Sequence, residues 1–379
     1  MTTTPESDNP NEPHGRSSDQ TPPPFEAGAE WLTGRGRDAD VVMSSRVRLA
    51  RNLVGFPFAP TATDDDRRHL LGAARPHVSA ANDDGKAALT WVDVHEMPAI
   101  DRELLVERHL ISRQHARGKL SSGVGGVDTP RALAVSLPDE KLAIMVNEED
   151  HLRIQRIHAG LDLSAALAAV DAADDRIEAS LDYAFNPRFG YLTCCPTNVG
   201  TGARFSVMLH LPALRLTGEI EKVKRAAEGM SLAVRGFYGE GSDASGDFYQ
   251  LSNQTTLGKS ERVLLAELEA DIVPKVIDYE RMARRKLLSR KTPILQDQVH
   301  RAMGVLAHAR LLSTEESMKL LSLLRLGVVS ELIDSTDLLT VHHLMLLTQP
   351  AHLQRAVGEE LDQDQRRSAR ADLIRAKLG

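Results

Sequence analysis

The chain has 379 residues, 42% of them hydrophobic and 26% charged, which suits a globular protein with a sizeable core and room for two or three domains. A formal net charge of −7 argues against a general nucleic-acid binder, and no run of about eighteen apolar residues offers a membrane span. Its two cysteines, Cys194 and Cys195, are adjacent, which excludes a disulfide framework and points to a reducing, cytoplasmic setting.

Residues 1–28, rich in Pro, Ser, Thr and Asp, have almost nothing to bury and read as a disordered tail without a signal-peptide layout. Order is expected from about Glu30. From about Val41 to Leu251 strand-like runs alternate with amphipathic helices. "LAIMV" (142–146) is short and apolar, as a buried strand is, and three acids, a histidine and an arginine follow it in "NEEDHLR" (147–153). "FGYLTCC" (189–195) and "FSVMLHL" (205–211) read as further strands. "EIEKVKRAAEGM" puts Ile220, Val223, Ala227 and Met230 on one helical face. "LAVRGFYGEGSDASGDFYQLS" reads as two strands joined by a Gly/Ser/Asp loop, 240–247. From 272 to 379 the pattern is all helical, with a capping box from Ser313 to Glu316 and then Met318, Leu321, Leu324 and Val328 at helical spacing.

Familiar phosphate motifs fail. "LGKS" (257–260) imitates the end of a P-loop, but Asn253 stands where its first glycine belongs. "GTGARF" (200–205) carries Phe205 in place of the third glycine of a dinucleotide fingerprint. The histidines form no metal-ligand pattern, and "HH" (342–343) lies in a Leu-rich helix.

What remains is arginine in strand ends and loops. Arg46 and Arg48, two apart in an extended segment, face one side. Arg153, Arg204 and Arg235 sit in other Gly- and Ser-punctuated segments, accompanied by the acids Glu149 and Glu240. Singly, such an arginine is more often a surface ion pair than a ligand. Together, several guanidinium forks would hold a triphosphate without a P-loop, because each matches phosphate oxygens in paired contacts and stays charged.

"VVMSSRVRLARN", "VNEEDHLRI", "CPTNVGTGAR" and "RGFYGE", in this order, resemble the catalytic domain of the phosphagen (guanidino) kinases. "RHLIS" (108–112), "GYLTCCPTNVGTGARFSVMLHLPAL" and "QLSNQTTLGKSE" are similar to the bacterial protein arginine kinases of the McsB type within that superfamily. The resemblance implies an α+β fold, an antiparallel sheet flanked by helices over 29–271, followed by the all-helical domain 272–379. It implies Mg-ATP across the sheet, with phosphates held by Arg46, Arg48, Arg153, Arg204 and Arg235 and with His109 on the adenine and ribose side. Ser44, Ser45, Val47, Phe205, Ser206, Val207, Met208, Gly236, Phe237, Tyr238 and Gly239 complete the nucleotide segments, with Mg²⁺ carried by ATP and not bound directly by protein groups. Glu149, Glu240 and Cys195 are implied to meet the acceptor guanidinium, while Glu148 and Asp150 read as structural and Cys194 as a small core residue on the far side of a strand.

A guanidinium is a poor nucleophile until a proton leaves or its charge is localised. One carboxylate orients it and a second favours loss of the attacking nitrogen's proton, so in-line transfer of the γ-phosphoryl rests on positioning and electrostatics. Kinases of free guanidino compounds carry a helical domain before the catalytic one. Here the helical domain follows, which points to an arginine displayed on a polypeptide. The family's carboxy-terminal R-D-x-x-R-A phosphoarginine pocket is matched at Arg366, Arg370 and Ala371 of "RRSARA", but Arg367 replaces its aspartate. The resemblance further implies marking of proteins for a Clp-type chaperone-protease, an activator protein and self-association. Two other functions fit the sequence: a kinase for free arginine or another small guanidino compound, and a weakly catalytic phosphoarginine-binding adaptor.

Overall fold

The structure, a computed structural model, describes residues 29–82, 88–119, 123, 125–236 and 245–378. The expected tail (1–28) and residues 237–244 lie outside the described residues. In chain order the first elements are β1 (Val42–Arg51), α1 (Asp64–Ser79), β2 (Thr90–Asp93), α2 (Ala99–Glu107), α3 (Arg113–Arg117), β3 (Ala132–Val135), β4 (Leu142–Val146) and β5 (Leu152–Ala159). Then come α4 (Leu163–Glu178), the two-residue strands β6 (Phe185–Asn186) and β7 (Gly190–Tyr191), β8 (Ala203–His210), α5 (Pro212–Leu216), α6 (Ile220–Gly229), β9 (Leu232–Arg235) and β10 (Phe248–Asn253). Eight strands form one sheet in the order β2-β3-β4-β5-β1-β8-β10-β9, each neighbouring pair antiparallel.

The central strand explains the architecture. In β1, "VMSSRVRLAR", Val47 and Leu49 alternate with Arg46 and Arg48, so the pleat sends apolar groups to one face and guanidinia to the other. The apolar face is buried with Ile144, Ile154, Phe205 and Val207 against α4, whose Leu163, Leu167, Val170 and Ile177 form its inward stripe. Asp162 opens α4 by accepting a hydrogen bond from the Ala165 N–H. The other face is divided. At the β2-β3-β4 end it carries Val92, Leu133, Val135, Ala143 and Met145, and Leu105, Val106, Leu110 and Ala116 from α2, α3 and the turn between them cover them in a second core. At the β5-β1-β8 end it carries arginine. That half is left open.

"LAIMV" and "FSVMLHL" fall in strands as expected, whereas "FGYLTCC" is strand only at Gly190–Tyr191. Beyond Tyr191 its polar backbone is spent on loops: the Cys194 N–H donates to Asp150 and the Leu192 carbonyl accepts from Asn52. Cys194 is accordingly a half-buried loop residue, not a core strand residue. In α6, Ile220 and Ala227 are buried, but the helix ends at Gly229 and Met230 is exposed.

The helical region runs through α7 (Glu261–Ala266), a π-helical segment (Glu267–Ile272) and α8 (Val273–Arg290) without a break, then α9 (Thr292–His308), α10 (Thr314–Val329), α11 (Leu338–Leu347), α12 (Pro350–Val357) and α13 (Gln363–Leu378). Ser313 caps α10 through the Glu316 N–H, and Met318, Leu321 and Leu324 are buried as the spacing predicts. Pro350 splits the run "VHHLMLLTQPAHLQRAV" into α11 and α12. The helices join the sheet domain through polar contacts. Glu107 at the end of α2 caps α12, accepting from the Ala351 N–H at 2.8 Å and the His352 N–H at 3.0 Å. Asp40, just before β1, accepts from Arg284 of α8 at 3.0 Å.

Candidate active site

The open half of the sheet is a cavity of about 750 Å³. Strand register assembles its floor: Arg48 lies opposite Arg204 on β8 and Gln155 on β5, Ala50 opposite Arg153, and Gln250 opposite Arg235 on the edge strand β9. Five arginines from four strands thus face one space, and all five line the cavity. Burial, followed by the charges of Arg204 and Arg153, lowers Arg46 to about 10. Arg48 is pushed well below the ordinary range by burial and then by Arg46, Arg204 and Arg153. Among the described residues no carboxylate makes an ion pair with Arg46 or Arg48, and the buried Arg48 Nε has no hydrogen-bond partner. Such a cluster of like charges is costly by itself and becomes favourable around a polyanion.

Arg153 is different. It reaches Glu148 at 2.9 Å and Glu149 at 3.0 Å, and these acids, with Asp150, raise its pKa against burial. The three neighbouring acids have separate surroundings. Burial pushes Glu148 up, but Arg153, the Ser112 hydroxyl at 2.6 Å and the Glu149 N–H more than offset it and hold its carboxyl below the usual range. Glu149 is raised, first by burial and then by Glu148 and Asp150, with Arg153 opposing. Glu149 lines the cavity; Asp150 is wholly buried away from it. Cys195 completes this rim, its thiol 3.0 Å from the Thr197 hydroxyl.

His109 closes the opposite end. It occupies the turn after α2 at a φ of 60°, its carbonyl accepts from Gln155 Nε2 at 2.7 Å, and its ring meets Trp31 edge-on at 5.1 Å. Burial, then Arg46, lowers it to about 3, so the imidazole is neutral. A smaller annex lined by Ser44, Arg46, His109, Ser206, Met208 and Gln250 continues from this end.

Family profiles match this chain over two stretches. The ATP:guanido phosphotransferase C-terminal catalytic domain covers residues 75–283, and the protein-arginine kinase McsB C-terminal domain covers 292–379. The chain belongs to the protein-arginine kinases, within the ATP:guanido phosphotransferases. The protein-arginine kinase of Symbiobacterium thermophilum is 44% identical over 353 residues, 93% of this chain and 97% of the relative. That of Halothermothrix orenii is 41% identical over 350 residues, 92% and 96% of the two chains. Among solved structures, the duplicated taurocyamine kinase from Schistosoma mansoni aligns with a TM-score of 0.55 and 27% identity over 66% of this chain and 33% of that one. Lombricine kinase aligns with a TM-score of 0.50 and 26% identity over 65% and 68%.

In this guanidino kinase the sequence-derived site residues divide into four groups. Arg46, Arg48, His109, Glu149, Arg153, Cys195, Arg204 and Arg235 meet around the cavity, and Ser44, Ser206 and Met208 line its annex. Ser45, Val47, Phe205 and Val207 do not: strand alternation turns their side chains to the opposite face, where all four are fully buried. Ser45 donates to the Gly160 carbonyl at 2.7 Å, and Phe205 is a core residue, so their part in the site is limited to holding the strands. Gly236 is buried at the end of β9, and Phe237, Tyr238, Gly239 and Glu240 lie outside the described residues. The carboxy-terminal group, Arg366, Arg370 and Ala371, lies along α13. Arg370 is buried and spends its guanidinium on the carbonyls of Thr348 at 2.7 Å and Leu312 at 3.0 Å; Ala371 is core, and Arg366 donates to the Leu361 carbonyl at 2.6 Å. These carbonyl contacts tie α13 to the segments around Thr348, Leu312 and Leu361.

Sequence reasoning missed Ser112, Gln114, Asn198, Gln250 and Gln254, all cavity-lining amides or hydroxyls. Gln250 had a usable signal, since it sits two residues from Ser252 in a strand whose pairing with β8 could be guessed.

Proposed function

We propose that the chain transfers the γ-phosphoryl group of Mg-ATP to the guanidinium of arginine residues in proteins. The observation that carries this reading is the convergence of five guanidinia on one face of the sheet, with Glu149 and Cys195 on the rim of the same cavity. Arg46, Arg48, Arg204 and Arg235 grip the phosphates, and Arg153, released from Glu149, joins them. His109 and the annex take the nucleoside. Glu149 and Glu240 receive the acceptor guanidinium, with Cys195 beside it. A guanidinium nitrogen attacks the γ-phosphorus, the bond to the ADP oxygen breaks, and the nitrogen's proton passes to Glu149, whose raised pKa suits a base. The donor set suits a metal that arrives on the nucleotide. In this reading Mg²⁺ would arrive on the nucleotide, as the guanidino-kinase resemblance implies. Bound there, the ion offsets phosphate charge.

The catalytic unit of this reading is 29–271 and the helical unit 272–379. The reading extends to a Clp-type chaperone-protease as consumer of the product, an activator protein, self-association through the helical unit, and the cytoplasm, where Cys194 and Cys195 remain free thiols. Among the described residues no helix is long and apolar enough to cross a membrane. Incubation with Mg-ATP and an arginine-rich acceptor protein should give acid-labile protein-bound phosphate, absent with Glu240→Ala. Phosphate on free arginine alone would make the chain a small-molecule kinase, and tight phosphoarginine binding without transfer would make it an adaptor.

A further inference from the structure

The acid triplet leaves one member without a part in the chemistry. Glu148 holds Arg153 and Glu149 faces the cavity, while Asp150 is wholly buried. A carboxylate in that position costs free energy unless its hydrogen bonds do something specific. Asp150 Oδ1 accepts from two directions at once, from Asn52 Nδ2 at 2.8 Å and from the Cys194 N–H at 2.8 Å. Asn52, the residue after β1, is shared in the same way. Its amide nitrogen also donates to the Leu192 carbonyl at 3.0 Å, and its Oδ1 accepts from the His151 N–H at 2.9 Å. His151 then seals the outside, its Nδ1 accepting from the Leu53 N–H at 3.0 Å and its Nε2–H donating to the Pro57 carbonyl at 2.9 Å.

Three segments distant in sequence are knitted here: the end of β1, the acid turn and the cysteine loop. The clasp holds residue 150 to residue 194, and each is the immediate neighbour of a cavity-lining residue, Glu149 and Cys195. Neither neighbour has a comparable anchor of its own. Among the described residues Glu149 is tied to Arg153 and, through its N–H, to Glu148, while Cys195 contacts Thr197 within its own loop. The gap between carboxylate and thiol is therefore set one residue back, in the dry interior.

We propose that Asp150 is a positioning residue for phosphoryl transfer, clasping the cysteine loop to the acid turn and so fixing Glu149 and Cys195 on either side of the acceptor guanidinium. The proposal rests on the reading that those two residues meet the acceptor. Burial and then Asp150 push the Cys194 thiol up to about 12, which disfavours its thiolate.

The test uses the full-length chain with Asp150→Ala and Asp150→Asn. Asp150→Ala removes both acceptor bonds and should lower kcat about 100-fold, the cost of a misplacement near one ångström, while KM for Mg-ATP moves less than about threefold, because Arg153 loses only the 4.0 Å contact to Asp150 and keeps Glu148 at 2.9 Å and Glu149 at 3.0 Å. Asp150→Asn keeps an Oδ1 acceptor for both donors and should hold kcat within about fivefold of the unmodified chain. Iodoacetamide alkylation of Cys195, followed by peptide mass spectrometry, reads loop position without turnover. It should accelerate several-fold in Asp150→Ala and stay unchanged in Asp150→Asn. An Asp150→Ala protein with full kcat overturns the proposal, as does an Asp150→Asn protein equally impaired with Cys195 reactivity unchanged in both. An active Glu149→Gln protein would remove the underlying reading instead, and the alkylation contrast would still decide the clasp.

Discussion

Arg48 and Arg325 are both buried guanidinia, one on the open face of the sheet and one where the helices meet the sheet domain. Each guanidinium nitrogen of Arg325, on α10, has an acceptor. It donates to the carbonyls of Asp40 at 3.0 Å and Ala39 at 2.7 Å, to His342 Nε2 at 3.0 Å and to His210 Nδ1 at 2.8 Å. Burial, then Arg284, lowers it to about 9, but its donors have partners. Arg48 is surrounded by Arg46, Arg153 and Arg204, and among the described residues its buried Nε has no partner. The first arginine completes the fold; the second waits for charge from outside. Burial alone does not separate structural from functional arginines, whereas the inventory of acceptors does.

That contrast breaks first at Arg48. Arg48→Ala should reduce phosphoryl transfer by about 10³-fold or more, in line with the worth of a guanidinium in a phosphoryl-transfer site, while circular dichroism shows the native fold. Arg325→Ala should do the reverse. Two carbonyls and two histidines lose their donor in a dry interior, so denaturant unfolding should show a loss of about 3 kcal/mol with little change in KM for ATP. Glu149 sharpens the comparison through pH. Because burial raises its carboxyl, the acid limb of kcat/KM should lie above the ordinary glutamate range, and Glu149→Gln should abolish that limb along with most of the activity.

The smallest effect concerns the histidines that accept from Arg325. Burial, then Arg325, depresses His342 to about 3, and His210 is likewise held far below its usual value. The unfolded chain then binds more protons below about pH 6.5, so their stabilising contribution is present above that pH and is lost as pH falls toward the folded value. Glu280, raised to about 7 mainly by burial, runs the other way and disfavours folding as pH rises through 4.5 to 7. Eight histidines are depressed (109, 115, 151, 158, 210, 342, 343 and 352) against five raised carboxyls (Glu140, Glu149, Asp171, Glu261 and Glu280), and thermal melts should shift downward between pH 7 and pH 5.

Much of this was legible in the sequence where the signal is local. "LAIMV" is a strand because its pattern and length say so, and the Ser313 cap needs only its own turn. The five arginines were legible as a set because period-two spacing and motif order both put them forward. Side-chain direction was less so: Phe205 and Val207 sit beside Arg204 and Ser206 in sequence but on the opposite face of β8. That Glu149 differs from the structural Glu148 and Asp150 was expected, but the partners that make the difference were hidden, being distant in sequence: Arg153 with Ser112 for Glu148, and Asn52 with Cys194 for Asp150. The contacts of "RRSARA" were hidden for the same reason, because only the fold shows that carbonyls from two other segments accept from Arg370.

The most direct test is the melting temperature of Arg48→Met with and without Mg-ATP. Without nucleotide the variant should melt at or above the unmodified chain, since one uncompensated buried charge is gone, and it should lose the upward shift that bound nucleotide gives. A variant that melts several degrees lower by itself, yet gains as much from Mg-ATP as the unmodified chain does, would contradict the account.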